Sequence, residues 1–405
     1  MEKKLIYADH NATSPVRPEV VALMQELNSS VYGNASSMHL FGQKAKKCLE
    51  DSREMIAKLL NAERPEEIVF TSCGTEADNF AVKGIAWSNS RKGKHIITSS
   101  LEHPAVLNAC DFLSKNGFDI TYLPVNGFGL VDPEDVQKAF RNETILVSVM
   151  HANNETGTIE PIKQIGGVIR EENENRYRKQ LPRIYFHTDA VQSCGKINVD
   201  VQELGVDLLS LSGHKFYGPK GVGALFIRKG TYIEPVQHGG HHERNLRAGT
   251  ENIAGIAGMV KALELDLGEM SAEQVRLSGL RDMLEKGIKD SIPEIEINGH
   301  HVERLANTLN VSFRHIEGES ILLSLDLEGI AVSTGSACAS GSSEPSHVLK
   351  AMGCDPEAAQ GAVRFSLGRQ NSEEDIRRIL EVLPKTIDRL RSMSPVWAGG
   401  VSNKK

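Results

Sequence analysis

Lys215 stands where an amine can do chemistry. It lies in the stretch LSLSGHKFYGPKGVG (209–223), in which an apolar, strand-like run ends at Ser212-Gly213 and His214-Lys215 follow at once. Gly218-Pro219-Lys220-Gly221 then turns the chain. In open α/β sheets, ligands sit beyond the carboxyl ends of the strands. A lysine amine becomes a nucleophile when burial or a neighbouring cation lowers its pKa, and it then forms Schiff bases with carbonyl compounds. A lone lysine in a turn is ordinarily a surface residue, so the reading depends on the residues that accompany it.

Pyridoxal phosphate asks its protein for a Schiff-base lysine, an anion beside the pyridinium nitrogen, a phosphate anchor and a group over the ring. Each has a candidate. Asp189, in HTDAVQS (187–193), follows a strand-like run and can hold the ring nitrogen protonated. Gly74 and Thr75, in TSCGTEADN (71–79), fall between a strand and a helix, where free N–H groups and a hydroxyl suit a phosphate. His103, in SSLEHPAV (99–106), follows another strand end, and Pro104 opens a helix after it. Taken singly, Asp189 reads as a helix cap, Thr71, Ser72 and Thr75 as capping residues and His103 as a structural histidine. Their concurrence at strand carboxyl ends favours a cofactor site.

A thiol completes the set. Cys338 lies in STGSACASGSSEPSHV (333–348), among small residues, hydroxyls and glycines. A core thiol would have apolar neighbours; this stretch has little to pack and is expected to form a mobile, exposed loop, a setting that favours reactivity.

The elements that must position these residues alternate. Short apolar runs at 67–71 (EIVFT), 95–99 (HIITS), 144–150 (TILVSVM), 184–187, 206–211 and 222–227 are separated by helical stretches. That order predicts an α/β fold with a mostly parallel sheet covered on both faces. Helical periodicity dominates 251–267 and again 272–289, and is followed by 306–313 (ANTLNVSF), a helix near 319–327, a strand at 363–366 and an amphipathic helix over 372–391. The expected organisation is a large domain over 16–260, a smaller α+β domain from 1–15 and 261–393, and a mobile tail over 394–405. The charged segment 170–183 reads as a solvated helix end plus loop.

Composition narrows the function. In 405 residues, 40% are hydrophobic and 24% charged, which sustains a packed core and excludes wholesale disorder. The charge balance, 46 − 53 = −7, argues against general binding of nucleic acid or anionic membranes. No apolar run spans a bilayer, and the first residues reach Asp9 too soon for a signal-peptide core, so a cytoplasmic location is expected. The six cysteines are scattered without a Cys-x-x-Cys pair, which is neither a disulfide framework nor a zinc ligand set. Cys73 reads as a packing thiol. His238, His241 and His242, in QHGGHHER (237–244), read as part of a glycine-rich active-site loop, and no residue is assigned to a metal. GPKGVG lacks the spacing of a P-loop.

The motifs YADHNAT (7–13), YGNASSMHLFG (32–42), TSCGTEADN (71–79), EHPA (102–105), HANNETGT (151–158), HTDAVQS (187–193), SGHKFYGPKG (212–221), RAGTEN (247–252), STGSACASGSSEPSHVL (333–349) and RFSLGR (364–369) together resemble the cysteine desulfurases of the NifS/IscS group. Those are fold-type I pyridoxal-phosphate enzymes of the class V aminotransferase branch. The resemblance runs from Tyr7 to about Trp397. It implies a large domain with a seven-stranded, mainly parallel sheet, a smaller α+β domain, and a homodimer with active sites at the subunit interface. It implies Lys215 as the Schiff-base residue, Asp189 at the pyridinium, Gln192 near the phenolic oxygen and His103 over the ring. Gly74, Thr75, Ser212 and His214 would bind phosphate, and Thr250 would reach the phosphate in the neighbouring subunit. Asn154 would line cofactor and substrate. Arg364 would grip the substrate carboxylate, assisted by Asn34, because a guanidinium fork matches a carboxylate. Cys338 would take sulfur from L-cysteine as a persulfide, leave alanine, and serve iron–sulfur assembly through a scaffold of the IscU/NifU type. The alternatives are a lyase of the same fold acting on selenocysteine or cysteine sulfinate, and a cofactor-binding protein without turnover.

Overall fold

The computed structural model describes residues 4–334, 345–394 and 397. Two helices, α1 (Pro18–Ser30) and α2 (Leu40–Leu59), precede a run in which strands and helices alternate: β2 (Ile68–Thr71), α3 (Gly74–Asn89), β3 (His95–Ser99), α4 (Pro104–Lys115), β4 (Asp119–Leu123), α5 (Pro133–Lys138), β5 (Thr144–Ser148), α6 (Ile162–Arg178), β6 (Tyr185–Asp189), α7 (Val201–Leu204), β7 (Leu208–Ser212) and β8 (Gly223–Ile227). These strands form one sheet of seven in the order β2-β8-β7-β6-β5-β3-β4. β8 pairs antiparallel with both neighbours and the remaining pairs are parallel, so β2 and β7 run the same way. The carboxyl ends of β2, β3, β5, β6 and β7 therefore share one edge.

The sheet is apolar on both faces, as a helix-covered sheet must be. Ile96, Tyr185, Leu208 and Leu225 pack with Phe80, Ile85, Val106 and Leu113 of α3 and α4. Their sequence neighbours Ile97, Phe186, Leu209 and Phe226 pack on the opposite face with Leu49, Ile56, Ile165 and Met259. Gly223 lies where β8 passes between β2 and β7. A Cβ there would stand 2.7 Å from Leu211 O and 2.9 Å from the Cys73 carbonyl carbon, so only glycine lets these strand ends close up.

The helix α8 (Ile253–Ser291) is continuous for 39 residues, where the sequence suggested two helical stretches. No proline interrupts residues 264–279, and Arg17 pairs with Asp266 and Glu269 at its middle. Its first turns join the core of the large sheet; Leu280, Leu284 and Ile288 join a second core. That second core is built on a three-stranded antiparallel sheet of β9 (Ile295–Asn298), β10 (Thr308–Phe313) and β12 (Ala362–Ser366). It is covered by α9 (Gly318–Leu327) and, after the short helices α10 (His347–Ala351) and α11 (Pro356–Gln360), by α12 (Glu373–Met393). The short strands β1 (Ile6–Tyr7) and β11 (Ile330–Ala331) pair in parallel beside it.

Period-two alternation divides the faces of the small sheet. Leu309, Val311, Phe313, Val363 and Phe365 enter the second core. Thr308, Asn310, Arg364 and Ser366 face the other way and meet the large unit: Asn310 donates to Glu155 O at 3.2 Å, and Thr308 Oγ1 receives Asn11 Nδ2 at 2.9 Å. Of the tail expected over 394–405, only Ser394 and Trp397 fall within the described residues. Trp397 lies with its ring 4.8 Å from the Arg391 guanidinium and 5.2 Å from the His315 ring. Among the described residues, no helix is long and apolar enough to cross a membrane.

Candidate active site

The loops at the shared edge enclose a cavity of about 350 Å³. Gly74, Thr75, His103, Asn154, Asp189, Gln192, Ser212, His214, Lys215 and Arg364 all line it, so the structure brings together ten of the residues singled out from sequence. Thr250 and Asn34 are exposed and do not line the cavity of this chain. Cys338 lies outside the described residues. Cys73, read from sequence as a packing thiol beside the phosphate loop, immediately precedes α3 and lines the cavity.

Lys215 ends a single 3₁₀ turn, Gly213–Lys215, that follows β7 directly. Its Nζ donates to Asn11 O at 2.7 Å and to Ala12 O at 2.9 Å. The segment around Asn11 thus runs beneath the lysine, fixed by Ser14 N and Oγ, which donate to His214 O at 2.9 and 2.8 Å.

Asp189 closes β6 and is buried, with Oδ1 accepting from Val191 N at 2.8 Å. Burial pushes its carboxyl up to about 6, against the Val191 N–H and the Lys215 charge. Deeper still, burial and the neighbouring Asp189 hold the Asp78 carboxyl well above the usual range. His187, 3.7 Å from Asp78, is bonded to Ser148 Oγ and Ser210 Oγ, and burial lowers it to about 3. The histidine is therefore neutral, and the contact with Asp78 is not an ion pair.

His103 caps α4, its Nδ1 accepting from Ala105 N at 3.2 Å. Burial, then Lys215 and His347, lower it to about 4. A neutral imidazole that accepts at Nδ1 carries its hydrogen on Nε2, by assignment from the hydrogen bond. His214 is likewise lowered to about 4, by burial and by Lys215, Lys220 and Lys196, and its Nδ1 meets Thr13 Oγ1 at 3.1 Å.

The opposite side of the cavity is polar but incompletely bonded. Among the described residues, no side chain caps the first N–H groups of α3. Gly74 opens that helix, and a Cβ on it would come within 2.7 Å of Val191 Cγ2 and 3.4 Å of Ser212 Cβ, so glycine lets the helix start approach the end of β7. Ser212 Oγ is buried without a hydrogen-bond partner among the described residues. Buried hydroxyls are ordinarily satisfied. An orphaned hydroxyl beside an uncapped helix start fits an anion such as a phosphate. With Lys215 and Asp189 across the same space, the donor set fits pyridoxal phosphate.

Arg364 reaches in from the small sheet. Its Nη1 donates to Asn154 O at 2.8 Å, and its Nη2 donates to Asp9 Oδ1 at 2.7 Å, while Nε is buried without a partner among the described residues.

Comparison with known proteins agrees with this arrangement. The family model for class-V aminotransferases matches residues 6–379. The chain belongs to that family. It is 53% identical over 403 residues to the cysteine desulfurase IscS of Dictyoglomus turgidum, covering all of both chains. It is 52% identical over 395 residues to the cysteine desulfurase IscS of Methanosarcina thermophila, covering 98% of this chain and 95% of the relative. A solved NifS-like protein superposes with a TM-score of 0.88 at 38% identity, over 96% of this chain and all of the other. As a class-V family member of the NifS/IscS group, the chain is a pyridoxal-phosphate enzyme.

Several residues of this class-V site escaped sequence reasoning. Asn11 and Asp9 lie in YADHNAT and Asp78 in TSCGTEADN, so their motifs were legible and their roles were not. Lys196, three residues past HTDAVQS, gave no sign beyond being a lysine close to that motif.

Proposed function

We propose that this chain converts L-cysteine to L-alanine and transfers the sulfur to Cys338 as a persulfide, for iron–sulfur cluster assembly. The observation that carries the reading is the convergence of Lys215, Asp189, Gln192, Ser212 and Arg364 on one cavity at the sheet's carboxyl edge.

Pyridoxal phosphate, when bound, supplies an aldehyde that captures amines and a ring that stores the electrons released when a Cα–H bond breaks. Lys215 Nζ would hold it and, with the substrate amine in place, would take up and give back the Cα proton. Asp189 keeps a proton at the ring nitrogen. The N–H groups at the start of α3, with Thr75, Ser212 and His214, bind the phosphate. Gln192 donates to the phenolic oxygen, and Asn154 borders both cofactor and substrate.

Arg364 binds the substrate carboxylate through its guanidinium. His103 covers the ring. With its hydrogen on Nε2, it takes up a proton from the substrate thiol only at Nδ1, once the contact with Ala105 opens. The Cys338 thiolate attacks the substrate sulfur: the S–S bond forms, the Cβ–S bond breaks, and Cβ acquires a proton. Cysteine and the Cys338 thiol become alanine and a persulfide, with atoms and electrons in balance.

The working unit is a homodimer. Tyr32, Met38, Leu40 and Phe41, at 68, 92, 64 and 48% exposure, form an apolar run beside Asn34. A patch of that kind marks a contact surface. A second copy would cover it and bring Thr250 to the neighbouring phosphate. The persulfide passes to a scaffold of the IscU/NifU type in the cytoplasm.

The test is to purify the protein, fix the cofactor with borohydride, map the labelled residue, and measure alanine and sulfide from cysteine. Label on Lys215 with matched alanine and sulfur is expected. Cys338→Ala should load cofactor and bind cysteine but release no alanine above background; normal turnover in that variant would refute the assignment.

A further inference from the structure

Next to the cofactor cavity, and sharing Lys215 with it, lies a second space of about 50 Å³, bordered by His10, Arg17, Lys196, Lys215, Tyr217 and Asp266. Its least expected member is Lys196, which has no part in the chemistry above. The stem of Lys196 is partly exposed, but its amine turns inward. Nζ donates to Gln192 Oε1 at 2.9 Å and approaches Asn11 Oδ1 at 3.4 Å. Gln192 in turn donates from Nε2 to Asn11 O at 2.8 Å, the same carbonyl that accepts from Lys215.

This closed ring settles the direction of an amide. The Lys196 amine donates to Gln192, and a backbone carbonyl only accepts. The Gln192 oxygen must therefore face Lys196, and its NH₂ group must face Asn11 O. One N–H of that NH₂ is used by Asn11, and the other remains for the cavity. Without Lys196, only the Asn11 contact would oppose rotation of the amide.

We propose that Lys196 is a positioning residue for the cofactor: its buried amine holds Gln192 with the NH₂ group toward the phenolic oxygen and places a cation behind the Lys215 nitrogen. The proposal rests on the reading that the cofactor is carried on Lys215.

The surroundings make that amine costly, as a positioning role would demand. Burial, then the charges of Lys215 and Arg364, bring Lys196 down to about 7, against Asp266 and Cys194. Other groups do little to offset this. His10 is neutral, lowered to about 4 by burial and by Lys196 itself. Asp266 is engaged by Arg17, Glu273 by Arg276, and His214 is neutral. Tyr217 is pushed up to about 12 by burial, and Arg369 pairs with Glu269. Removing the Lys196 charge therefore favours a proton on the nitrogen shared by Lys215 and the cofactor. Losing the donor to the phenolic oxygen acts in the same direction.

The experiment is a pH titration of the near-visible absorption of the loaded enzyme, comparing the parent with Lys196→Met and Lys196→Arg. The midpoint should rise by about one pH unit in Lys196→Met and stay near the parent in Lys196→Arg, which keeps donors and charge. If Lys196→Met fails to fold, Lys196→Gln takes its place; it keeps a donor without the charge, and a smaller rise is expected. A loaded Met or Gln variant with the parent's midpoint overturns the proposal alone. A parent that binds no borohydride-fixable cofactor on Lys215 overturns the functional reading, and the proposal with it.

Discussion

Ser346 Oγ lies 2.5 Å from Glu155 Oε2, although 191 residues separate them in the chain. Ser346 is also the cap of α10 (His347–Ala351), its Oγ accepting from Val348 N and Leu349 N. The neighbouring His347 bonds Glu102 O through Nε2 at 3.0 Å. The residues just after 335–344 are thereby tied to the loops that follow β5 and β3, on which Asn154 and His103 stand. Cys338 precedes this anchor by eight residues in the chain.

Ser346→Ala removes the cap and also a partner of a buried carboxyl that burial already holds above the usual range. A loss of about 1–3 kcal/mol is expected, read as a lower denaturant midpoint at unchanged slope. Persulfide formation on Cys338 should slow more than cysteine binding weakens, measured by single-turnover alanine release against the spectral change on adding cysteine.

Arg364→Lys keeps a charge but not the fork that spans Asp9 Oδ1 and Asn154 O. Roughly a tenfold or larger rise in KM for cysteine is expected, about 1.4 kcal/mol or more, with cofactor loading unchanged. Steady-state kinetics beside the absorption spectrum check both parts.

Ser212→Ala separates a binding role from a structural one. Because the Ser212 hydroxyl has no partner within the described protein, its removal should leave the apo form as stable as the parent or slightly more so. Cofactor affinity should fall about tenfold, the equivalent of one lost hydrogen bond to a charged group. Melting curves of apo and loaded protein report the two effects. A destabilised apo form would contradict the reading of Ser212 as a waiting phosphate donor.

Glu102 gives a pH dependence of definite sign. Both Ser99 Oγ and Met150 N donate to Oε1, and Oε2 is buried without a partner among the described residues. Burial raises the carboxyl to about 8 from the ordinary 4.5, so the folded chain holds a proton that the unfolded chain releases. Its contribution is complete below pH 4.5 and is lost as pH rises through 8. Glu102→Gln mimics the protonated acid. Its stability relative to the parent should climb between about pH 4.5 and 8 and level off above. Equal pH profiles of thermal midpoint for the two proteins would sink this assignment.

Much of this molecule could be read from the chain. Strands buried on both faces appear as unbroken apolar runs, and helix starts appear as Gly-Thr or His-Pro directly after them. Lys215, Asp189, His103 and Thr75 were legible for that reason: each sits within a few residues of a strand end, so local pattern fixes its place. Cys338 is known from sequence alone. Local pattern also put a strand at 363–366, and the family resemblance singled out Arg364 within it. It could not say that Asp9, 355 residues away, would hold the guanidinium, nor that Lys196 would turn inward against Gln192. Nor did periodicity show that α8 runs unbroken through both cores. Alternation and capping follow from backbone geometry, which repeats along a chain. The partner of a buried charge is set by which distant backbone closes over it, and only the folded packing of the N-terminal segment, the large sheet and the small sheet decides that.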